Sequence, residues 1–352
     1  MNDLGINAQT LGAILACYTI AVSAFSISGG KIVGQIGSRG ALLFAGTATL
    51  VGSAGIGFFG RDPWIIGGFL AITGLATSVA LPSASRIIAI RLPKRMHGLA
   101  FAVKMAAVPL ATGLAGASVP LVAVRLGWRS AIAAGAIFPL VSWLFLLPQG
   151  RIDGAETREP RGRMRSDGGA LIFLGGFFGS IAVGSFGGFV VVSSVRQGLD
   201  PSLVGWVIAG ASALSIGVRV ALGLLVDRLE LNTFKLCARL IAIGAAGFAL
   251  MAIPKLSVLW VAALLGYGAG WGWTAFYQMA VIQRYSLAPA TATGRMATGL
   301  ALGHGLGSVL FGALADRIGD PLSWIIVAII ASVGSLLMWT VGRGELSRSS
   351  LA

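Results

Sequence analysis

Eleven long apolar stretches divide this sequence, and they constrain the fold more than any other feature. A helix rises 1.5 Å per residue, so about 20 apolar residues cross the roughly 30 Å hydrocarbon core of a bilayer. Each stretch therefore predicts a membrane-spanning helix, and the chain is expected to be an all-α integral membrane protein. The predicted spans are 11–33, 41–59, 64–90, 98–124, 128–148, 170–193, 203–226, 235–253, 257–283, 296–317 and 321–341.

The composition agrees with a chain that lies mostly in lipid. Hydrophobic residues make up 56% of the 352 residues and charged residues only 11%, whereas soluble domains carry about 25% charged residues. The net charge of +14 is typical of some nucleic-acid-binding proteins. Here the basic residues are spread over many short loops, so we expect no nucleic acid as partner. We expect a lipid bilayer as the surroundings of the chain, and a monomer.

One polar segment, residues 148–169, interrupts the apolar pattern after the fifth span. It contains five arginines and four acidic residues, and such a segment cannot bury enough apolar surface to become ordered on its own. We expect a solvated linker. It divides the chain into an N-terminal bundle of five spans, 1–147, and a C-terminal bundle of six spans, 170–352.

The basic residues also predict the orientation. Short cytoplasmic loops carry an excess of lysine and arginine. If the linker is cytoplasmic, 20 of the 26 basic residues fall on its side of the membrane. We therefore expect the protein in the inner (plasma) membrane of the cell. The linker and the C-terminus should lie in the cytoplasm, and Met1 should lie outside.

Two short loops at matching places in the two halves carry related motifs. Residues 223–229 read GLLVDRL, and residues 30–39 read GKIVGQIGSR. The first resembles the G-x-L-A-D-R-x-G loop of the major facilitator superfamily, and the second is a degenerate copy. A further copy, GALADRIG at 312–319, closes the tenth span. The resemblance implies a two-bundle fold, transport by alternating access, and a conformational gate that involves Gly30, Gly37, Arg39, Gly223, Asp227 and Arg228.

Members of that family have six helices in each half, and the segment corresponding to the first is missing here. Residues 3–7 resemble the external segment that normally follows it. Either the start site is misplaced or the protein has eleven helices. We expect the first explanation, because family helix one lines the transport path.

Charged residues inside the spans are the first candidates for a substrate site. All 12 acidic residues lie in loops, in the linker or at helix ends, which counts against a proton-coupled exporter of cations. Lys104, Arg219 and Arg86, in contrast, lie within predicted spans. Their side chains either extend back to the interface or create a positive field for an anionic substrate.

The ninth and tenth spans hold the other candidates. Trp271, Thr274 and Gln278 share a helix face because their spacing is three and four residues, and Tyr277 lies beside them. His304 lies inside the tenth span, and because an imidazole ordinarily titrates near neutral pH, such a residue would suit proton coupling. For both groups, packing between helices is the alternative interpretation.

These observations predict a secondary transporter for a small organic anion, with a small molecule as its substrate and a proton as the candidate coupling ion. A multidrug exporter and a transport-inactive binding relative are the alternatives. We expect no enzymatic activity, no cofactor and no metal. The glycine clusters lack the spacing of phosphate-binding loops, and the histidines, cysteines and acids are not clustered in the sequence.

Overall fold

The computed structural model describes residues 2–93, 97–148, 169–229, 232–285 and 289–349, and every regular element in these ranges is helical. Short 3-10 and π-helical turns complete the chain at Asn2–Leu4, Val119–Ala123 and Gly266–Gly270. The α-helices are α1 (Ala8–Phe59), α2 (Pro63–Arg91), α3 (His97–Ser118), α4 (Val124–Leu126), α5 (Trp128–Ala134), α6 (Ile137–Leu146), α7 (Gly169–Arg196), α8 (Pro201–Leu229), α9 (Thr233–Leu250), α10 (Leu256–Leu265), α11 (Trp273–Arg284), α12 (Pro289–Ile318) and α13 (Asp320–Ser349).

Within the described ranges, eleven helical segments are long and apolar enough to cross a membrane, so the predicted all-α membrane fold is confirmed. Five precede the predicted linker and six follow it, while linker residues 149–168 lie outside the described ranges. In order, the spans are Ala8–Ser26, Ile32–Phe59, Pro63–Ile88, Val103–Leu126, Trp128–Leu146, Gly169–Arg196, Pro201–Gly223, Thr233–Leu250, Leu256–Ile282, Arg295–Ile318 and Asp320–Gly344.

Helix α1 contains both the first and the second span, and it breaks at Gly37. This residue has φ 75° and ψ 162°, a conformation that only glycine adopts without strain. The break reverses the chain on the face of the molecule where the fifth span ends and the sixth begins. We call this face the linker side.

On the face opposite the linker, polar side chains cap the starts of several helices. The Asp62 carboxylate accepts from the N–H groups of Trp64 and Ile65 at the start of α2. Asp200 does the same for Ser202 and Leu203 at the start of α8. Each cap satisfies N–H groups that have no partner within the helix.

The two halves meet along two pairs of spans, the first with the tenth and the fourth with the seventh. At both contacts glycine allows the backbones to approach closely. A Cβ atom built on Gly12 would lie 2.3 Å from the carbonyl oxygen of Ser308, and one on Gly116 would lie 2.9 Å from that of Gly205. A side chain at either glycine would therefore force the halves apart.

The two halves differ in how much of each span they bury. In the sixth span 15 of the 28 residues are buried and in the eighth 11 of the 18, whereas Pro139 is the one buried residue described in the fifth. The largest core cluster lies in the C-terminal half and includes Phe186, Phe248, Phe311 and Trp324. This half is therefore the rigid support for side chains carried by the ninth and tenth spans.

Candidate functional site

Arg219 joins the two halves of the molecule. It lies in the seventh span, where its Nη1 donates to the carbonyl oxygen of Met105 in the fourth span at 3.4 Å. Its Nη2 donates to the carbonyl oxygen of Tyr267 in the ninth span at 3.2 Å. The side chain is half-buried, and its Nε is enclosed without a partner in the described part of the chain.

The sequence explains why these two carbonyls are available. Proline has no N–H, so Pro109 cannot donate to Met105 one helical turn earlier. In the π-helical turn Gly266–Gly270, the N–H of Trp271 donates to Gly266 at 2.7 Å instead of to Tyr267. Both helices are thus irregular at these points, and each leaves one carbonyl oxygen accessible. Arg219 donates to these two oxygens.

Lys104 brings a second positive charge to the same stretch of the fourth span. Its Nζ donates to Ser85 Oγ at 2.6 Å and to the carbonyl oxygen of Leu81 at 3.3 Å, both in the third span. Because Met105 follows Lys104 directly, Arg219 contacts the residue next to Lys104 in the fourth span. Arg86 is half-buried in the third span, next to Ser85.

The polar face of the ninth span divides into binding candidates and packing residues. Trp271, Thr274 and Gln278 are all half-buried, and Trp271 stacks on Tyr267 with the ring centroids 6.0 Å apart. Tyr277 is only 2% exposed, and its hydroxyl donates to the carbonyl oxygen of Ile172 at 2.9 Å. Tyr277 therefore packs inside the C-terminal half.

His304 lies beside Trp271, with the ring centroids 6.0 Å apart. Its Nδ1 is 2.7 Å from Ser180 Oγ and 3.1 Å from the carbonyl oxygen of Leu300, to which Ser180 also donates at 2.6 Å. All three contacts are satisfied when Nδ1 carries the ring proton, which leaves the Nε2 lone pair as an acceptor. Nε2 has no hydrogen bond to the described residues.

The structure adds residues that the sequence did not single out. Tyr18 in the first span hydrogen-bonds Thr77 in the third at 3.0 Å, near the middle of both spans. The residue after Tyr18, Thr19, lies against Gly305 of the tenth span, across the boundary between the halves. In the sequence, these residues were indicated only by a hydroxyl-bearing side chain in the middle of the first and the third span.

The predicted gate residues are described in part. Gly37 forms the break in α1, and Arg39 donates to the carbonyl oxygens of Leu146 and Leu147 at 3.0 and 2.8 Å, at the end of the fifth span. Gly223 lies in α8 in open surroundings. Gly30 lies in α1, while the side chains of Asp227 and Arg228 are outside the described part of the structure.

Comparisons with known proteins agree on the type of protein. The profile described as Major Facilitator Superfamily matches residues 1–297. A gallate transporter of Pseudomonas putida is 25% identical over 183 residues, which cover 51% of this chain and 39% of that protein. The match thus spans less than half of that relative. The crystal structure of the nucleoside transporter NupG superposes with a TM-score of 0.66 at 15% identity, covering 96% of this chain and 91% of that one.

Proposed function

Because the chain belongs to the major facilitator superfamily, we propose that it is a secondary transporter that moves a small organic anion across the membrane by alternating access. The anion binds between the halves, where Arg219 and Lys104 supply positive charge. Trp271, Thr274, Gln278 and His304 line the same path from the C-terminal half.

The observation that carries this proposal is the uncompensated charge of Arg219. Its described partners are carbonyl oxygens, which satisfy N–H donors but do not cancel the charge. Among the described residues the ion pairs join Arg129 to Asp3 and Arg196 to Asp316 and Asp320, and no carboxylate lies within 4.0 Å of Arg219. An entering carboxylate would gain charge-assisted hydrogen bonds and would relieve a costly intramembrane charge.

The comparison with the gallate transporter supports the substrate class, because gallate is an organic anion. The half-buried ring of Trp271, already stacked on Tyr267, offers an apolar surface for the body of such a substrate. The absence of acidic residues from the middle of the spans, seen in the sequence, supports an anion over the cations of a multidrug exporter.

We further propose that a proton is the coupling ion and His304 its carrier, because Nε2 is free to accept a proton beside Trp271. The charge distribution supports an orientation in the plasma membrane that places the linker in the cytoplasm. Single cysteines placed at residues 155 and 167 of the linker should resist membrane-impermeant thiol reagents in intact cells. Ready labelling of these cysteines would reverse the orientation.

Uptake into proteoliposomes tests the proposed function. The purified protein is reconstituted and offered labelled monocarboxylates, gallate, a nucleoside and a cationic dye. We expect saturable uptake of at least one carboxylate and no saturable uptake of the dye. Saturable transport of the dye alone would identify an exporter of cations. Specific binding without transport of any compound would identify an inactive relative.

A further inference from the structure

Asp316, in the third copy of the motif, links the two halves on the face opposite the linker. It lies near the end of α12, in the C-terminal half. One carboxylate oxygen accepts from the N–H of Ala8 at 3.1 Å, and the other accepts from the N–H of Gln9 at 2.7 Å. Both donors belong to the first turn of α1, in the N-terminal half.

These bonds complete the capping of α1. Its first turn has N–H groups without partners in the helix, and Asn7 Oδ1 accepts only that of Thr10, at 2.8 Å. Asp316 supplies the acceptors for the two preceding groups, and its negative charge faces the positive end of the helix dipole. The start of α1 therefore depends on a carboxylate from the other half.

Arg196, itself anchored by Asp320, holds Asp316 in position from within the C-terminal half. Arg196 Nη1 lies 3.7 Å from Asp316 Oδ1, and Arg196 Nε lies 3.3 Å from Asp320 Oδ2. The Asp320 side chain is only 6% exposed, so this anchor is largely enclosed. The C-terminal half thus presents a fixed carboxylate to two backbone N–H groups of the N-terminal half.

Close packing surrounds the contact. A Cβ on Gly312 would lie 2.2 Å from the carbonyl oxygen of Ala8, and one on Gly12 would lie 2.3 Å from that of Ser308. The first and tenth spans therefore touch through their backbones on this face. A path between the halves can open here only if the two spans separate, and separation must break both bonds to Asp316.

We propose that Asp316, positioned by Arg196, is the latch that closes the face opposite the linker. Asp62 and Asp200 also cap helices on this face, but each caps a helix of its own half. Loss of the Asp316 charge should therefore open the face. Loss of the charge at Asp62 or Asp200 should leave the relation between the halves unchanged.

Distances between spin labels test the latch without any substrate. Cys17 and Cys237 are replaced by alanine, and labels are attached at Phe58→Cys and Leu322→Cys, two exposed positions on this face in opposite halves. Asp316→Asn should add a population with a longer distance. Asp62→Asn and Asp200→Asn should retain the parent distribution.

An unchanged distribution in Asp316→Asn would overturn the latch, as would an equal widening in all three variants. If Asp316→Asn does not yield folded protein, Gln9→Pro tests the same contact from the other half. It removes the donor of the 2.7 Å bond at a position in the first helical turn, where proline is tolerated. It should add the same long-distance population, and the parent distribution would reject the latch.

Discussion

Arg219 of the seventh span donates a hydrogen bond to Met105 of the fourth span, across the boundary between the halves, at 3.4 Å. The carbonyl oxygen of Met105 is available because Pro109 lacks the N–H that would otherwise bind it. The charge that is proposed to bind substrate is therefore also a contact between the halves. An anion that draws the guanidinium away from Met105 would loosen that contact, and binding would then be coupled to the proposed movement of the halves.

A close approach of the sixth and tenth spans at Gly184 should not tolerate a side chain. A Cβ on Gly184 would lie 2.2 Å from the carbonyl oxygen of His304 and 2.6 Å from its Cα, and backbone atoms cannot yield as a flexible side chain does. Gly184→Ala should destabilise the protein by about 1–3 kcal/mol, the usual cost of overpacking. Thermal unfolding in detergent, followed by tryptophan fluorescence, measures the effect.

Gly217→Ala is the matched control, since a Cβ there meets nothing within 4 Å. Alanine has the higher helix propensity, by about 1 kcal/mol, so this variant should unfold at the parent temperature or slightly above it. Equal unfolding temperatures for the two alanine variants would contradict the described contact between the spans.

Arg39 should stabilise the end of the fifth span. Its guanidinium donates to the carbonyl oxygens of Leu146 and Leu147, which lack partners in the last helical turn, and a cation there favours the helix dipole. Arg39→Gln should cost about 1 kcal/mol, because hydrogen bonds from half-exposed charged groups contribute modestly.

Hydrogen–deuterium exchange measures this effect locally. Peptides covering residues 140–147 should exchange faster in Arg39→Gln than in the parent, and Arg61→Gln, which changes an exposed arginine on the opposite face, should not affect them. Unchanged protection in Arg39→Gln would show that the end of this helix does not depend on the arginine.

His304→Gln should separate substrate movement from proton movement. Glutamine keeps a polar side chain near Ser180 but cannot carry a proton, whereas the parent imidazole can. We expect the variant to lose the acceleration of uptake by an inward proton gradient while it retains exchange of labelled for unlabelled substrate. Acceleration equal to that of the parent would remove His304 from the coupling mechanism.

The sequence was sufficient for the number and order of the spans, because the length of an apolar run fixes whether a helix crosses a bilayer. It could not show what each side chain contacts. Trp271, Thr274 and Gln278 are all half-buried, but Tyr277 packs inward, where Gly176 leaves room for its hydroxyl. Gly176 belongs to the sixth span, so no residue near Tyr277 in the sequence indicates that this space exists.

Irregular helix geometry was also invisible in the sequence. The π-helical turn at Gly266–Gly270 frees the carbonyl oxygen that Arg219 binds, yet nothing in the sequence indicated an irregular turn there. The bonds from Asp316 to Ala8 and Gln9 join residues more than 300 positions apart. The motif around Asp316 could be recognised, but its partner depends on how the halves dock.

The charge of Arg219 is the centre of the proposed function, and substitutions at this position separate charge from geometry. Arg219→Gln removes the charge, and Arg219→Lys keeps it but loses the planar group that reaches two carbonyls. Arg239→Gln is the control, because Arg239 is an exposed arginine in the eighth span on the linker side. Gel filtration and unfolding temperature confirm that each variant is folded.

The decisive measurement is the concentration dependence of uptake of a transported carboxylate by these variants in proteoliposomes. Loss of a partly desolvated charged contact costs about 2–5 kcal/mol, which is a roughly 30- to 5,000-fold loss of affinity. We expect Arg219→Gln to lose saturable uptake, Arg219→Lys to retain it at higher substrate concentration, and Arg239→Gln to match the parent. Parent-like uptake by folded Arg219→Gln would contradict an anion site at Arg219.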